Sequence, residues 1–141
     1  MVLVDSSVWI ECARREGAIE CKLGLEGLLE ADEALVCGAV RMEVLAGARI
    51  EDRRRLSAAF EHIPLKLMDD SAWDFTLLCA WRLREKGHVV PWNDILIGSL
   101  SLQWGCRMYA ADRHFEIMGE VLGLRLYRPG PGGKYVSERE V

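Results

Sequence analysis

The chain has only three histidines and four prolines, and none of its five cysteines (Cys12, Cys21, Cys37, Cys79 and Cys106) falls in a CxxC pair. A structural zinc site needs clustered Cys and His ligands, so this pattern argues against one. An odd, scattered set of thiols in apolar or helical contexts is expected to stay free and reduced, which implies a cytoplasmic protein. No stretch approaches the roughly 18 consecutive apolar residues that span a bilayer. The N-terminus has no basic stretch leading into an apolar core and cleavage site, so neither a membrane span nor a secretory leader is expected. There is no repeat, low-complexity tract or internal linker. Positive charge does not dominate either: 18 Lys and Arg stand against 22 Asp and Glu, a net charge of −4. Taken alone, that argues against a nucleic-acid partner. The argument weakens if several acids share one bound cation, which would cancel them locally.

What is present is enough for one domain. The 141 residues are half hydrophobic and 28% charged, the balance of a folded globular chain. The only Pro/Gly-rich stretch, Pro129 to Gly133, divides the chain into a folded domain over 1–128 and a tail over 129–141, which is expected to be mobile.

Strand and helix patterns alternate. "MVLVD" reads as a buried strand and "SSVWIECARR" as a helix. A second helix spans about Ala18 to Ala31, with Leu25, Leu28 and Leu29 at helical spacing. "EALVCG" is the next strand, and "AVRMEVLAGA" a helix. A charged helix follows near Glu51 to Phe60, and "IPLKLM" alternates like a strand. Asp69 to Lys86 reads as a long helix, with Trp73, Leu77, Ala80, Trp81 and Arg84 at three- and four-residue steps and Gly87 as cap. "NDILIGSLSLQWG" is a helix, "RMYA" a strand, "RHFEIMG" a short helix and "LRLY" a last strand. This alternation predicts a mainly parallel sheet covered on both faces, a three-layer α/β/α sandwich. Ligands of such sheets bind beyond the carboxyl ends of the strands.

Four acids fall in equivalent places. Asp5 ends the first strand. Glu43 lies in the helix after the second. Asp94 opens the helix before the "RMYA" strand, and Asp112 follows that strand. Gathered at one sheet edge, four carboxylates repel, and a divalent cation among them would keep them ionised. Oxygen ligands suit a hard ion, Mg²⁺ or alternatively Mn²⁺. Such an ion suits phosphodiester chemistry, since it neutralises phosphate and acidifies water. Each acid also has an ordinary reading by itself. Asp5 and Asp94 are good N-caps, Glu43 can be an exposed helix residue, and Asp112 can be a turn residue. His114 reads more readily as a helix-start or surface residue than as a base. Ser7 is either a ligand to a carboxylate or a helix-start serine. The five tryptophans read as mostly core, with Trp92 the one allowed near a base or partner.

The segments "VLVDSSVWIE", "RMEVLAGAR", "PWNDILIGSLS" and "YAADRHFE" together resemble the successive motifs of the PIN-domain family, and within it the VapC toxins of toxin–antitoxin pairs. The resemblance runs from Val2 to about Tyr127. It implies a Mg²⁺-dependent endoribonuclease whose acidic residues match Asp5, Glu43, Asp94 and Asp112. It also implies a cognate antitoxin that blocks the site, and homodimerisation. Cleavage by an activated water is then expected to leave a 5′-phosphate and a 3′-hydroxyl on RNA. Two departures stand out. Ala110 occupies a position where the family often has Ser or Thr, and Gly98-Ser99 stand where Ala is common. A catalytically silent interaction module is therefore the competing reading. A phosphoryl-transfer or receiver domain fits less well, because no second Asp follows Asp5 and no Lys sits in "RMYAADRHF". The leucine stripe of the second helix, with Trp9, is either a groove for an antitoxin helix or, preferably, a face packed on the sheet.

Overall fold

The computed structural model describes all residues, 1–141. Four strands, β1 (Val2–Val4), β2 (Ala34–Cys37), β3 (Leu65–Lys66) and β4 (Arg107–Tyr109), form one parallel sheet in the order β3-β2-β1-β4. Seven helices connect and cover them: α1 (Ser6–Ala13), α2 (Ile19–Glu30), α3 (Gly38–Ala46), α4 (Ile50–Glu61), α5 (Ser71–Glu85), α6 (Trp92–Trp104) and α7 (His114–Leu122).

The central strand decides the layering. Val2, Leu3 and Val4 point alternately to the two sheet faces, yet all three are fully buried. Both faces must therefore be covered, as a parallel sheet requires. Helices α1, α2 and α3 pack together, and α5, α6 and α7 form a second group. The α/β architecture with a parallel sheet expected from the sequence is the one observed.

Strand order matters for the site. The chain runs from β1 outward to β2 and β3, then crosses back to place β4 on the other side of β1. The gap between the ends of β1 and β4 is thus the topological switch point, where open parallel sheets leave a crevice. The Asp5 N–H donates to the Tyr109 carbonyl at 2.9 Å, which ties those two strand ends together.

Three expectations need correction. The first concerns the tryptophans. Trp9 is buried, but Trp73, Trp81 and Trp92 are 53%, 56% and 69% exposed. Helix α5 buries its other face, Ala72, Thr76, Cys79 and Leu83. The reason lies in α6, which is buried continuously from Ile95 to Ser101 and passes close to α5. Small side chains permit that approach. Thr76 donates to the Ala72 carbonyl at 2.7 Å, and its hydroxyl meets that of Ser99 at 2.6 Å.

The second correction concerns "LRLY", which shrinks to one parallel bridge between Leu126 and Met108. Met108 N–H donates to the Arg125 carbonyl and Tyr127 N–H to the Met108 carbonyl. Beyond that, Pro129 has no N–H with which to extend a ladder. The third concerns the segment after Tyr127, which folds back onto α2 instead of hanging free. Gly133 is buried at φ +83°, and a Cβ there would lie 2.4 Å from the Leu23 backbone. The buried Arg107 guanidinium lies over the rings of Tyr127 (5.0 Å) and Tyr135 (5.9 Å) and faces Glu138. Cation–π and aromatic contacts of this kind hold a short segment that has no hydrophobic periodicity of its own.

Candidate metal centre

Asp5 is the deepest acid. It caps α1, accepting from the Ser7 N–H at 3.0 Å and the Ser7 hydroxyl at 2.5 Å through one oxygen. Its other oxygen is buried with no partner. Burial pushes this carboxyl up to about 6, against the pull of the Ser7 hydrogen bonds, and the negative charges of Asp94 and Glu43 add to the rise. The N-cap reading was therefore correct but incomplete: one oxygen caps the helix and the other is left over.

The remaining acids join Asp5 through a closed circuit of hydrogen bonds. Ser6, next to Asp5, donates to Glu43 Oε2 at 2.6 Å. Glu43 Oε1 accepts from the side-chain amide of Asn93. Asn93 adjoins Asp94, whose Oδ2 lies 2.9 Å from His114 Nδ1. The same nitrogen is 3.0 Å from Asp112 Oδ1, which also accepts from the His114 N–H at 2.9 Å. Ala111, next to Asp112, donates its N–H to the Ser7 hydroxyl at 3.0 Å, and Ser7 leads back to Asp5. Four acids separated by up to 107 positions are thus linked, through their neighbours, at the switch point.

Their environments differ. Asp5 is 2% exposed, whereas the side chains of Asp94 and Asp112 are 17% and 38% exposed. Burial also raises the Asp94 carboxyl; the His114 hydrogen bond opposes this, and repulsion from Asp112 and Glu43 reinforces it. One ligand atom from each of Asp94, Asp112 and His114 lies within 4.8 Å of the others, a spacing that can hold one ion. Hard oxygen donors dominate, with one imidazole, a set suited to Mg²⁺ or Mn²⁺. The unpartnered Asp5 oxygen and the raised carboxyls are what a site looks like when its charges await a cation, so the residues fit the group.

The structure brings the four acids expected from the sequence into one hydrogen-bonded neighbourhood, and of them Asp94 and Asp112 bring ligand atoms within 4.8 Å of each other. Three contributors were missed or ranked low: Ser6, Asn93 and His114. The signal for the first two was adjacency, since each sits beside an acid in its motif. For His114 it was the two-residue step from Asp112. Ala110 is half-buried and offers no hydroxyl. Ser7 instead supplies the hydroxyl that links the β4 exit to Asp5.

Beside Glu43 lies a groove of about 880 Å³ between α1, α3 and α4. Trp9, Ile10 and Leu56 make its apolar floor, and Arg14, Arg15 and Arg49 stand along it. The α2 stripe does not form it, although Trp9 does: Leu25 and Leu28 are buried in the core, as the preferred reading expected, whereas Leu29 is 38% exposed. No helix is long and apolar enough to cross a membrane.

The profile of the PIN domain matches residues 2–121. Ribonuclease VapC11 of Mycobacterium tuberculosis is 30% identical over 131 residues, covering 89% of this chain and 96% of the relative. Among solved structures, a chain of FitAcB from Neisseria gonorrhoeae superposes with a TM-score of 0.74 at 14% identity, covering 91% of this chain and 97% of that one. A chain of VapBC2 from Rickettsia felis, solved with a DNA fragment from its promoter, gives 0.74 at 14% identity, covering 90% and 98%. These two likenesses concern the fold.

Proposed function

Because this chain belongs to the PIN domain family, we propose that it is a divalent-metal-dependent endoribonuclease, the toxin of a toxin–antitoxin pair, which pairs with a second copy of itself. The observation that supports the reading best is the set of hydrogen bonds linking Asp5, Glu43, Asp94 and Asp112 through their neighbours, with a buried Asp5 oxygen left unpartnered. The name of the 30% identical relative, a ribonuclease, supports RNA as the substrate class.

Asp5, Asp94 and Asp112 would hold Mg²⁺, with Glu43 and His114 at the rim. Such an ion supplies neutralisation of the scissile phosphate and a lowered pKa for water. The chain's own residues do the positioning. Ser7 fixes the rotamer of Asp5 from both its N–H and its hydroxyl. Ser6 and Asn93 clamp the two oxygens of Glu43, which leaves that carboxylate oriented to take a proton from water. His114 Nδ1 lies within hydrogen-bond distance of both Asp94 and Asp112 and so helps to fix where their carboxylates point. Arg14, Arg15 and Arg49 line the same groove as Glu43, where phosphates flanking the cleaved bond would run. The apolar floor of the same groove suits a helix of the antitoxin, which would cover the site as it binds.

The test is cleavage of a structured RNA by protein purified free of any partner, with Mg²⁺ or with EDTA, and with Asp5→Ala and Asp94→Asn. Cleavage is expected only with the metal and only in the unsubstituted protein. Activity that ignores EDTA, or survives both substitutions, would overturn the mechanism. A folded protein that never cleaves and binds Mg²⁺ weakly or not at all in a calorimetric titration would favour the silent interaction module.

A further inference from the structure

Two of the five cysteines differ from the rest. Cys37, Cys79 and Cys106 are buried, whereas Cys12 and Cys21 are half-buried, and all five are free thiols. Burial pushes the Cys37 and Cys79 thiols up, as for inert core residues. Cys12 lies in the last turn of α1 and Cys21 in the first turn of α2. Nine positions separate them, so no redox motif shows in the sequence. The turn between the helices brings them together. Glu11 Oε1 accepts from the Ala18 N–H at 2.9 Å, and the Gly17 N–H donates to the Arg14 carbonyl at 3.2 Å. The turn is tight enough to leave no room for a Cβ on Gly17 against the Glu11 carbonyl. Beyond it α1 and α2 pack on each other, and the two thiols share a hydrogen bond.

The pair is also asymmetric. The Cys12 hydrogen bond draws the Cys21 thiol below its usual range; burial and the Glu11 charge oppose this, and the Tyr109 hydroxyl assists. The same hydrogen bond, with burial, holds the proton on Cys12. Tyr109 fixes this end of α2 as well, donating its hydroxyl to the Cys21 carbonyl at 3.2 Å. Cys21 lines a cavity of about 670 Å³ with Tyr109, Ala110, Ala111 and Pro129, so a small reagent can reach it. An accessible cysteine biased towards thiolate, beside a second thiol, is the arrangement in which the first reacts with an oxidant and the second resolves the product.

We propose that Cys12 and Cys21 form a peroxide-reactive modification site that closes into a disulfide joining α1 to α2. The Cys21 thiolate attacks one peroxide oxygen, breaks the O–O bond and becomes a sulfenic acid; the hydroxide released takes up a proton and leaves as water. Cys12 sulfur then displaces the hydroxyl from Cys21 sulfur, and its own proton leaves with that hydroxyl as a second water. Two thiols lose two electrons and two protons, and hydrogen peroxide is reduced to two waters. The new bond spans the turn over 14–18, whose Arg14 and Arg15 line the groove described above, so oxidation restrains that wall of the groove. The thiols lie outside the acid circuit, and the site is independent of the nuclease reading.

The full chain, fully reduced, treated with hydrogen peroxide at neutral pH and then alkylated in denaturant, is expected to lose two of its five thiols and the mass of two hydrogen atoms. Tryptic peptides 1–14 and 16–22 should appear joined, and dithiothreitol should separate them. Before oxidation, Cys21 should react with iodoacetamide at least about tenfold faster than Cys37, Cys79 or Cys106. Cys12→Ser should stop at a sulfenic acid on Cys21, captured by a cyclic 1,3-diketone, and Cys21→Ser should leave Cys12 unoxidised, with the far-UV spectrum unchanged in both. The peptide map of the unsubstituted chain decides the matter even where a variant fails to fold. Peroxide that leaves all five thiols intact, that consumes the three buried cysteines as fast as Cys21, or that links separate chains would overturn the proposal. None of these readouts uses RNA, so cleavage, measured separately, reports on the nuclease reading alone.

Discussion

Replacing Asp5 by Asn should make the metal-free protein more stable at pH 8 while abolishing its metal response. Moving a carboxyl from 3.8 to about 6 means that ionising it in the folded state costs about 3 kcal/mol. The sign follows from the direction. The folded pKa is raised, so the folded state is favoured where Asp5 is neutral, below about pH 4. That contribution is lost as pH rises to about 6, and above it the full cost applies. Asn keeps an acceptor for Ser7 but puts an amide N–H₂ where the unpartnered oxygen now sits, a loss of about 1–2 kcal/mol if it finds no acceptor. The expected net gain at pH 8 is thus about 1–2 kcal/mol, or several degrees in Tm. At pH 4 the ionisation cost is nearly gone and only the amide loss remains, so the variant should be less stable than wild type by about 1–2 kcal/mol. The assay is urea unfolding in EDTA at both pH values, wild type against Asp5→Asn. Adding Mg²⁺ at a hundred times its Kd should stabilise the wild type by about 2.7 kcal/mol and the variant far less. If Asp5→Asn is as destabilised at pH 8 as at pH 4, burial does not penalise the ionised carboxylate and the argument for a cation site fails.

Two further outcomes follow from named contacts. Asn93→Ala frees one oxygen of Glu43 and should lower kcat for RNA about tenfold with little change in KM, because it acts through orientation and not substrate binding; a larger effect on KM than on kcat would contradict the positioning role. Gly133→Ala should destabilise the fold by about 2 kcal/mol or more, since φ is +83° and the new Cβ would strike the Leu23 backbone. Limited proteolysis should then cut after Tyr127 first, and a Tm unchanged from wild type would contradict the packing described.

The local elements were legible from the sequence because short-range rules write them. A run of Val-Leu-Val followed by an acid and two serines is a strand ending in a helix cap, and it folded so. Gly105 sits at φ +65° where the α6 pattern stops, as a left-handed cap requires. The acids were legible as a set because each falls at a fixed place relative to a strand end. Their neighbours were less so. Nothing in the composition of "SSV" or "PWND" says that Ser6 and Asn93 will hold the same carboxylate from opposite sides.

The α5 stripe marks the boundary most clearly. Helical periodicity showed that Trp73, Leu77 and Trp81 share a face, and it equally showed that Ala72, Thr76, Cys79 and Leu83 share another. Only the tertiary structure chose between them, because the choice depends on how closely α6 must approach, and small side chains win where two backbones pass near each other. The tail was decided the same way. Its glycines and two prolines promised no structure alone, but the surface of α2 and the ring pair around Arg107 supplied partners the local chain could not. Sequence sets what each segment can become; long-range packing decides which of its faces is spent inside the fold and which remains for another molecule.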